Sequence, residues 1–196
     1  MKKKKKVNKF LLNKFMEYGL HIAGIKRFSN PKANVYLLGF RNNFGILDLS
    51  LTQYNIRRVL KILSKVVVSR KKILFVGAPV GLEKNFTFLC KKSGHFYLDD
   101  FTDGFFSNFG NSNLDLFNAE RPSLIFFFNG LKYQKVKKDV LGLNIPVLAF
   151  VSTDANLEGI DYLIPANIYS WRGGLFVYNL LFNLLLFTDR FKSIKK

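Results

Sequence analysis

The chain has 196 residues, 48% of them hydrophobic and 16% aromatic, which suffices for one domain with a complete core and excludes a disordered polyelectrolyte. Its formal net charge is +18, with seven lysines and no acid in the first fourteen residues, an excess that requires a polyanionic partner such as nucleic acid or an anionic membrane surface. One cysteine, Cys90, and two histidines, His21 and His95, exclude a disulfide framework and a structural metal site.

Residues 1–14 read as a basic extension running into a short helix at about 9–18. The run GLHIAGIKRFSNPKAN (19–34), with two glycines, a proline and little periodicity, reads as a loop. VYLLGF and FGILDLS flank RNN, predicting two short strands and a tight turn. Residues 49–68 place Leu51, Ile56, Val59, Leu60, Leu63 and Val67 at helical spacing, with Ser50 or Thr52 as the cap. From there the pattern alternates: strand 73–77, helix 80–93, strand 96–98, strand 124–128, basic helix 133–141, strand 146–151, strand 162–165 and a closing helix 169–187. Continuous apolar runs such as LIFFF and PVLAFV belong to strands covered on both faces, so the expectation is a three-layer α/β domain around a parallel sheet. The chain divides into the extension 1–14, one α/β domain at 15–190 and a basic tail at 191–196.

Two segments resemble membrane or targeting signals and fail as such. No apolar stretch with a cleavage site follows the first lysines, so no signal peptide is expected. LFVYNLLFNLLLF (175–187) is 13 residues long with Asn179 and Asn183 on one helical face, against roughly 20 apolar residues for a span, and reads as a core helix.

Three stretches suggest chemistry. ILFVGAPVGLEKN (73–85) has the order of a phosphate loop, but only three residues separate Gly77 from Gly81, Lys84 arrives two positions late, and Pro79 removes an amide. It reads as a plain strand-to-helix turn. VSTDANLEGIDYLIP sets Asp154, Glu158 and Asp161 beyond a strand end, where α/β folds hold ligands, yet without a histidine or serine partner; loop bonding is the expectation. YLDDFTDGFFSNFG interleaves Phe101, Phe105, Phe106 and Phe109 with acids, and core anchoring is favoured over stacking on bases.

The order of short motifs resembles the universal small-subunit ribosomal protein S-two family. MEYGLHIAGIKRFSNPKAN is similar to its amino-terminal stretch at Gly19, His21, Arg27, Asn30, Pro31 and Lys32. YLLGFRNNFGILDLSLT matches at Tyr36, Gly39, Arg41, Asn42, Asp48, Leu49 and Thr52. KILFVG resembles its first core strand, FTDGFFSNF its aromatic glycine loop at Gly104, Asn108 and Phe109, and GLNIPVLAFVSTDAN with IDYLIPAN its later strands and loops. The departures are Gly24 for a second histidine, Phe101 for a tryptophan, Asp103 for a glycine and Ser152 for an acid, and only residues 110–121 where bacterial members carry a long helical hairpin.

The resemblance implies a flavodoxin-like fold, no catalysis, no cofactor and no small-molecule substrate. It also implies binding to small-subunit rRNA and neighbouring ribosomal proteins near the junction of head and body, with no membrane. The expected phosphate contacts are Lys2, Lys3, Lys4, Lys5, Lys6, Lys9, Lys14, Lys26, Arg27, Lys32, Arg41, Asn42, Arg70, Lys71, Lys72, Lys132, Lys135, Lys137, Lys138 and Arg172. A composition rich in Phe, Lys and Asn and poor in Ala points to A+T-rich codons, hence to a mitochondrial ribosome, with a plastid or an A+T-rich bacterial cytoplasm as alternatives. The rival is a small nucleotide- or flavin-binding enzyme on the same fold, because fold alone does not dictate function.

Overall fold

The computed structural model describes residues 8–101, 105–106 and 121–194, the last eight of these by backbone only. Lys2 to Lys6, Asp103, Gly104, Asn108, Phe109 and residues 110–120 lie outside the described residues.

Helix α1 (Lys9–Glu17) leads into a small antiparallel sheet of β1 (Ile22–Ile25), β2 (Leu37–Arg41) and β3 (Phe44–Leu47), ordered β1-β3-β2. The loop expected over 19–34 therefore contains a strand. Ile22 pairs with Ile46 and Ile25 with Phe44, so β1 owes its existence to a partner twenty residues away in sequence rather than to its own periodicity. Two 3₁₀ turns, Lys26–Phe28 and Pro31–Tyr36, join β1 to β2. The turn between β2 and β3 places Asn42 at φ 48° and Asn43 at φ 65°, left-handed at both central positions as a two-residue hairpin requires.

Helix α2 (Leu49–Val68) is capped by Asp48, whose carboxylate accepts from the Ser50 amide at 2.8 Å. The cap is thus neither Ser50 nor Thr52. Thr52 is fully buried and donates its hydroxyl to the Pro165 carbonyl at 2.6 Å.

The main sheet consists of β4 (Ile73–Val76), β5 (Phe96–Leu98), β6 (Leu124–Phe127), β7 (Val147–Val151) and β8 (Tyr162–Pro165), all parallel, in the order β5-β4-β6-β7-β8. Counted from β4 this is 2-1-3-4-5, the flavodoxin-like order, with its switch point between β4 and β6. Helices α3 (Glu83–Ser93), α4 (Gly130–Gly142) and α5 (Trp171–Ile194) complete the layers. Helix α3 begins three residues later than expected because Leu82 closes a turn onto the Pro79 carbonyl at 3.1 Å. Helix α4 begins earlier, because the Asn129 side chain accepts from the Leu131 amide at 2.8 Å and caps it.

Alternation along each strand splits the core into two. Ile73, Phe75, Phe126, Phe128, Leu148, Phe150 and Ile164 face α2, α3 and α5, where Val177, Leu181 and Leu185 of the closing helix are buried. Leu74, Val76, Ile125, Phe127, Val147 and Ala149 face α4 and the aromatic segment after β5. Phe106 is fully buried there, with its ring centroid 6.1 Å from that of Phe127 and 5.6 Å from that of Phe101. This supports the core-anchor reading for the described part of that segment. No helix among the described residues is long and apolar enough to cross a membrane.

Candidate nucleic-acid interface

In this topology a nucleotide or flavin would sit beyond the carboxyl ends of β4 and β6, so the loop after β4 decides whether one can be held. Its glycines earn their places: Gly77 (φ +73°) and Gly81 (φ +79°) are both left-handed. Their amides, however, are spent inside the chain. Gly77 donates to the Leu98 carbonyl at 2.7 Å, Leu82 to Pro79, and Gly81 to the Glu83 carboxylate at 3.0 Å. A carboxylate of the chain itself therefore occupies the amino end of α3, where a phosphate would need to be. The Lys132 side chain lies over Gly77, and a Cβ at Gly81 would come within 2.9 Å of the Trp171 ring. Lys132 and Trp171 thus crowd the two glycines, and Lys84 is exposed on α3.

The three acids after β7 are likewise in structural use or isolated. Asp161 accepts from the Val147 amide at 2.8 Å and so ties the start of β8 to β7. Glu158 pairs with Lys32 and, at 3.0 Å, with Lys137; the hydrogen bond from Lys32, then that from Lys137, hold its carboxyl well below the usual range, down to about 2. Asp154 has one buried carboxylate oxygen without a hydrogen-bond partner among the described residues. No three ligand-type side chains converge to hold a metal among the described residues. The one thiol, Cys90, is buried, which pushes its pKa up to about 12 and makes it a poor nucleophile.

Four of the expected phosphate contacts serve the chain's own groups. Lys132 donates to the Asp99 carbonyl at 2.8 Å and lies 3.5 Å from the Asp100 carboxylate. Lys72 donates to the Gly94 carbonyl at 2.8 Å, and Lys32 and Lys137 clasp Glu158. The others among the described residues divide into exposed groups on separate surfaces. Lys9 and Lys14 lie on α1, and Lys26, Arg27, Arg41 and Asn42 ring the antiparallel sheet. There, Lys26 stands 5.5 Å from the Phe40 ring centroid and Arg27 6.0 Å from that of Phe28. Arg70, at φ 57°, and Lys71 follow α2, Lys135 and Lys138 face outward on α4, and Arg172 is exposed on α5.

The family model for ribosomal protein S2 matches residues 15–118 and 110–185. The chain belongs to the ribosomal protein S2 family. Among curated relatives, the small ribosomal subunit protein uS2 of Methylorubrum extorquens is 26% identical over 199 residues, covering 81% of this chain and 56% of the relative. The uS2 of Blochmanniella pennsylvanica is 24% identical, covering 87% of this chain and 93% of the relative, and that of Ehrlichia ruminantium is 24% identical with 81% and 70% covered. The chain thus spans just over half the length of its Methylorubrum relative and nearly all of the Blochmanniella one.

Several residues that carry the S2 resemblance do structural work. Asp48 caps α2 and Thr52 bonds to β8. The Asn30 side chain accepts from the Lys32 amide at 3.0 Å, while the backbone N–H of Asn30 donates to the Thr153 carbonyl at 2.7 Å. At Gly24, a departure from the family pattern, the amide donates to the Thr153 hydroxyl at 3.1 Å, and an added Cβ would meet that oxygen at 3.1 Å. The small antiparallel sheet is thereby bolted to the loop after β7.

The structure also exposes cations that motif reading passed over. Arg57, Arg58, Lys61 and Lys65 lie on the solvent side of α2, opposite the buried Ile56, Val59, Leu63 and Val67. The usable signal was the absence of any acid from residues 49–68.

Proposed function

We propose that this S2-family chain is a structural constituent of a small ribosomal subunit, holding rRNA and neighbouring ribosomal proteins without catalysing a reaction. The observation that carries the proposal is the family match across nearly the whole domain, to relatives named as small-subunit proteins. The geometry agrees with it. Exposed cations are spread over α1, the antiparallel sheet, α2 and α4, as suits recognition of phosphate and shape, while the Gly77 and Gly81 amides of the flavodoxin-like sheet's first loop donate to the chain's own Leu98 carbonyl and Glu83 carboxylate. The basic extension with Lys2 to Lys6 adds a polycationic arm for the same partner.

The relatives are bacterial, so the ribosome is one of bacterial type. The Phe-, Lys- and Asn-rich composition supports placing it in a mitochondrion. The test is sedimentation of native extract: the chain should travel with small subunits and leave them only under conditions that strip rRNA. A chain remaining at the top of the gradient would refute the proposal. Saturable binding of a nucleotide or flavin by the purified protein would favour the enzyme reading instead.

A further inference from the structure

Outside the edge strand β8 lies an open cleft of about 310 Å³, between the first half of α2 and the start of that strand. It is lined by Tyr36, Tyr54, Asn55, Arg58, Asp161 and Tyr162, together with three apolar side chains. Its position is at the amino end of β8, on the opposite end of the sheet from the crevice where flavodoxin-like folds bind ligands.

We infer that this cleft receives one unpaired nucleotide of RNA, with the base against the tyrosines and its phosphate at Arg58. The inference rests on the rRNA-binding reading and goes beyond it by assigning a base-accepting site. Three aromatic rings around a small concavity suit a flat base, which stacks on aromatic faces whatever its sequence. The Arg58 guanidinium lies 5.1 Å from the centroid of the Tyr162 ring, so it is already held against one wall while its charge faces outward. Asn55 supplies both an amide donor and a carbonyl acceptor for a base edge. The volume lies at the lower end of small-molecule pockets, about 300–1,000 Å³, and is too narrow for a duplex. The base must therefore come from a loop, bulge or end.

The acid in the lining, Asp161, accepts from the Val147 amide at 2.8 Å, and the charge beyond it favours RNA over a segment of protein. Tyr54, Arg58, Lys61 and Lys65 follow one another at spacings of four, three and four, so the cleft opens onto a basic row along a single face of α2. No acid occurs anywhere in that helix. A backbone leaving the cleft would run directly along this row.

The test uses the full chain and two RNAs, an unstructured single-stranded oligonucleotide carrying 4-thiouridine and a blunt duplex of equal length. Tyr54→Ala should bind the single strand about tenfold more weakly, within the range expected for losing one stacked base, and the duplex within twofold of the parent. Ultraviolet crosslinking should join thiouridine to peptides containing Tyr54 or Tyr162. A substitution at Tyr54, which is 47% exposed, leaves the core intact, and circular dichroism checks this. The inference is overturned if Tyr54→Ala changes single-strand binding less than twofold, or weakens both RNAs equally. It is also overturned if, in the assembled particle, these tyrosines crosslink to a protein neighbour. Binding of duplex but not of single strand by the parent protein sinks the cleft assignment and leaves the rRNA reading standing; binding of neither RNA sinks both.

Discussion

Replacing Lys61 and Lys65 together by Gln separates cations that meet RNA from those that hold the fold. The two are four residues apart on α2, so they stand about 6 Å apart along the helix axis on one face. Both are exposed, and the buried side of α2 is carried by Ile56, Val59, Leu63 and Val67, so Gln, a good helix former, should alter stability by at most about 0.5 kcal/mol per site. If each side chain neutralises one phosphate, the slope of log K against log salt falls by about 0.7–0.9 per residue, or about 1.4–1.8 for the pair. The assay is filter binding of transcribed small-subunit rRNA across a salt series. Lys132→Gln is the contrasting variant: it loses the bonds to Asp99 and Asp100, so it should lower the melting temperature while leaving the slope unchanged. An unchanged slope in the double variant, or a reduced slope for Lys132→Gln, would refute the division into outward and inward cations.

Other expectations are as direct. Thr52→Val should destabilise the domain by about 1–3 kcal/mol in urea unfolding, because it leaves the buried Pro165 carbonyl without its 2.6 Å donor. Gly130→Ala should cost a similar amount, about 1–3 kcal/mol, since the new Cβ would lie 2.9 Å from that of Ala155 with backbone close behind. The Glu158 carboxyl, lowered from 4.5 to about 2 by Lys32 and Lys137, stabilises the native state fully above about pH 4.5 and ceases to as pH falls through 2. Glu158→Gln should therefore flatten the acid arm of the stability profile in that window and leave the neutral region's slope untouched. Cys90 should resist alkylation at pH 8 in the native protein and react at once after unfolding.

The parallel sheet was legible because its strands are short, continuous apolar runs, and burial on both faces demands such runs wherever they occur. Strand β1 was not, because IAGI carries no alternating signal and becomes a strand only through β3. The cap of α2 is Asp48, whose carboxylate takes the Ser50 amide, while Thr52 lies inside the helix and bonds to β8, a contact 113 residues distant in sequence. Among the cations, charge count gave the partner class, yet Lys32 and Arg41 look alike as letters. Both are exposed, but Lys32 pairs with Glu158, 126 residues distant in sequence, a partner that only the fold brings alongside.

Composition, strand runs and ordered motifs thus determined by themselves that this is a basic α/β domain of the S2 type, since net charge and local hydrophobicity are properties of the chain before it folds. The tertiary structure alone decided which charges face solvent, that the glycine-loop amides turn to acceptors of the chain itself, and that three tyrosines far apart in sequence meet around one cleft. Those are matters of proximity, and proximity exists only once β8, α2 and the turn before β2 have packed together.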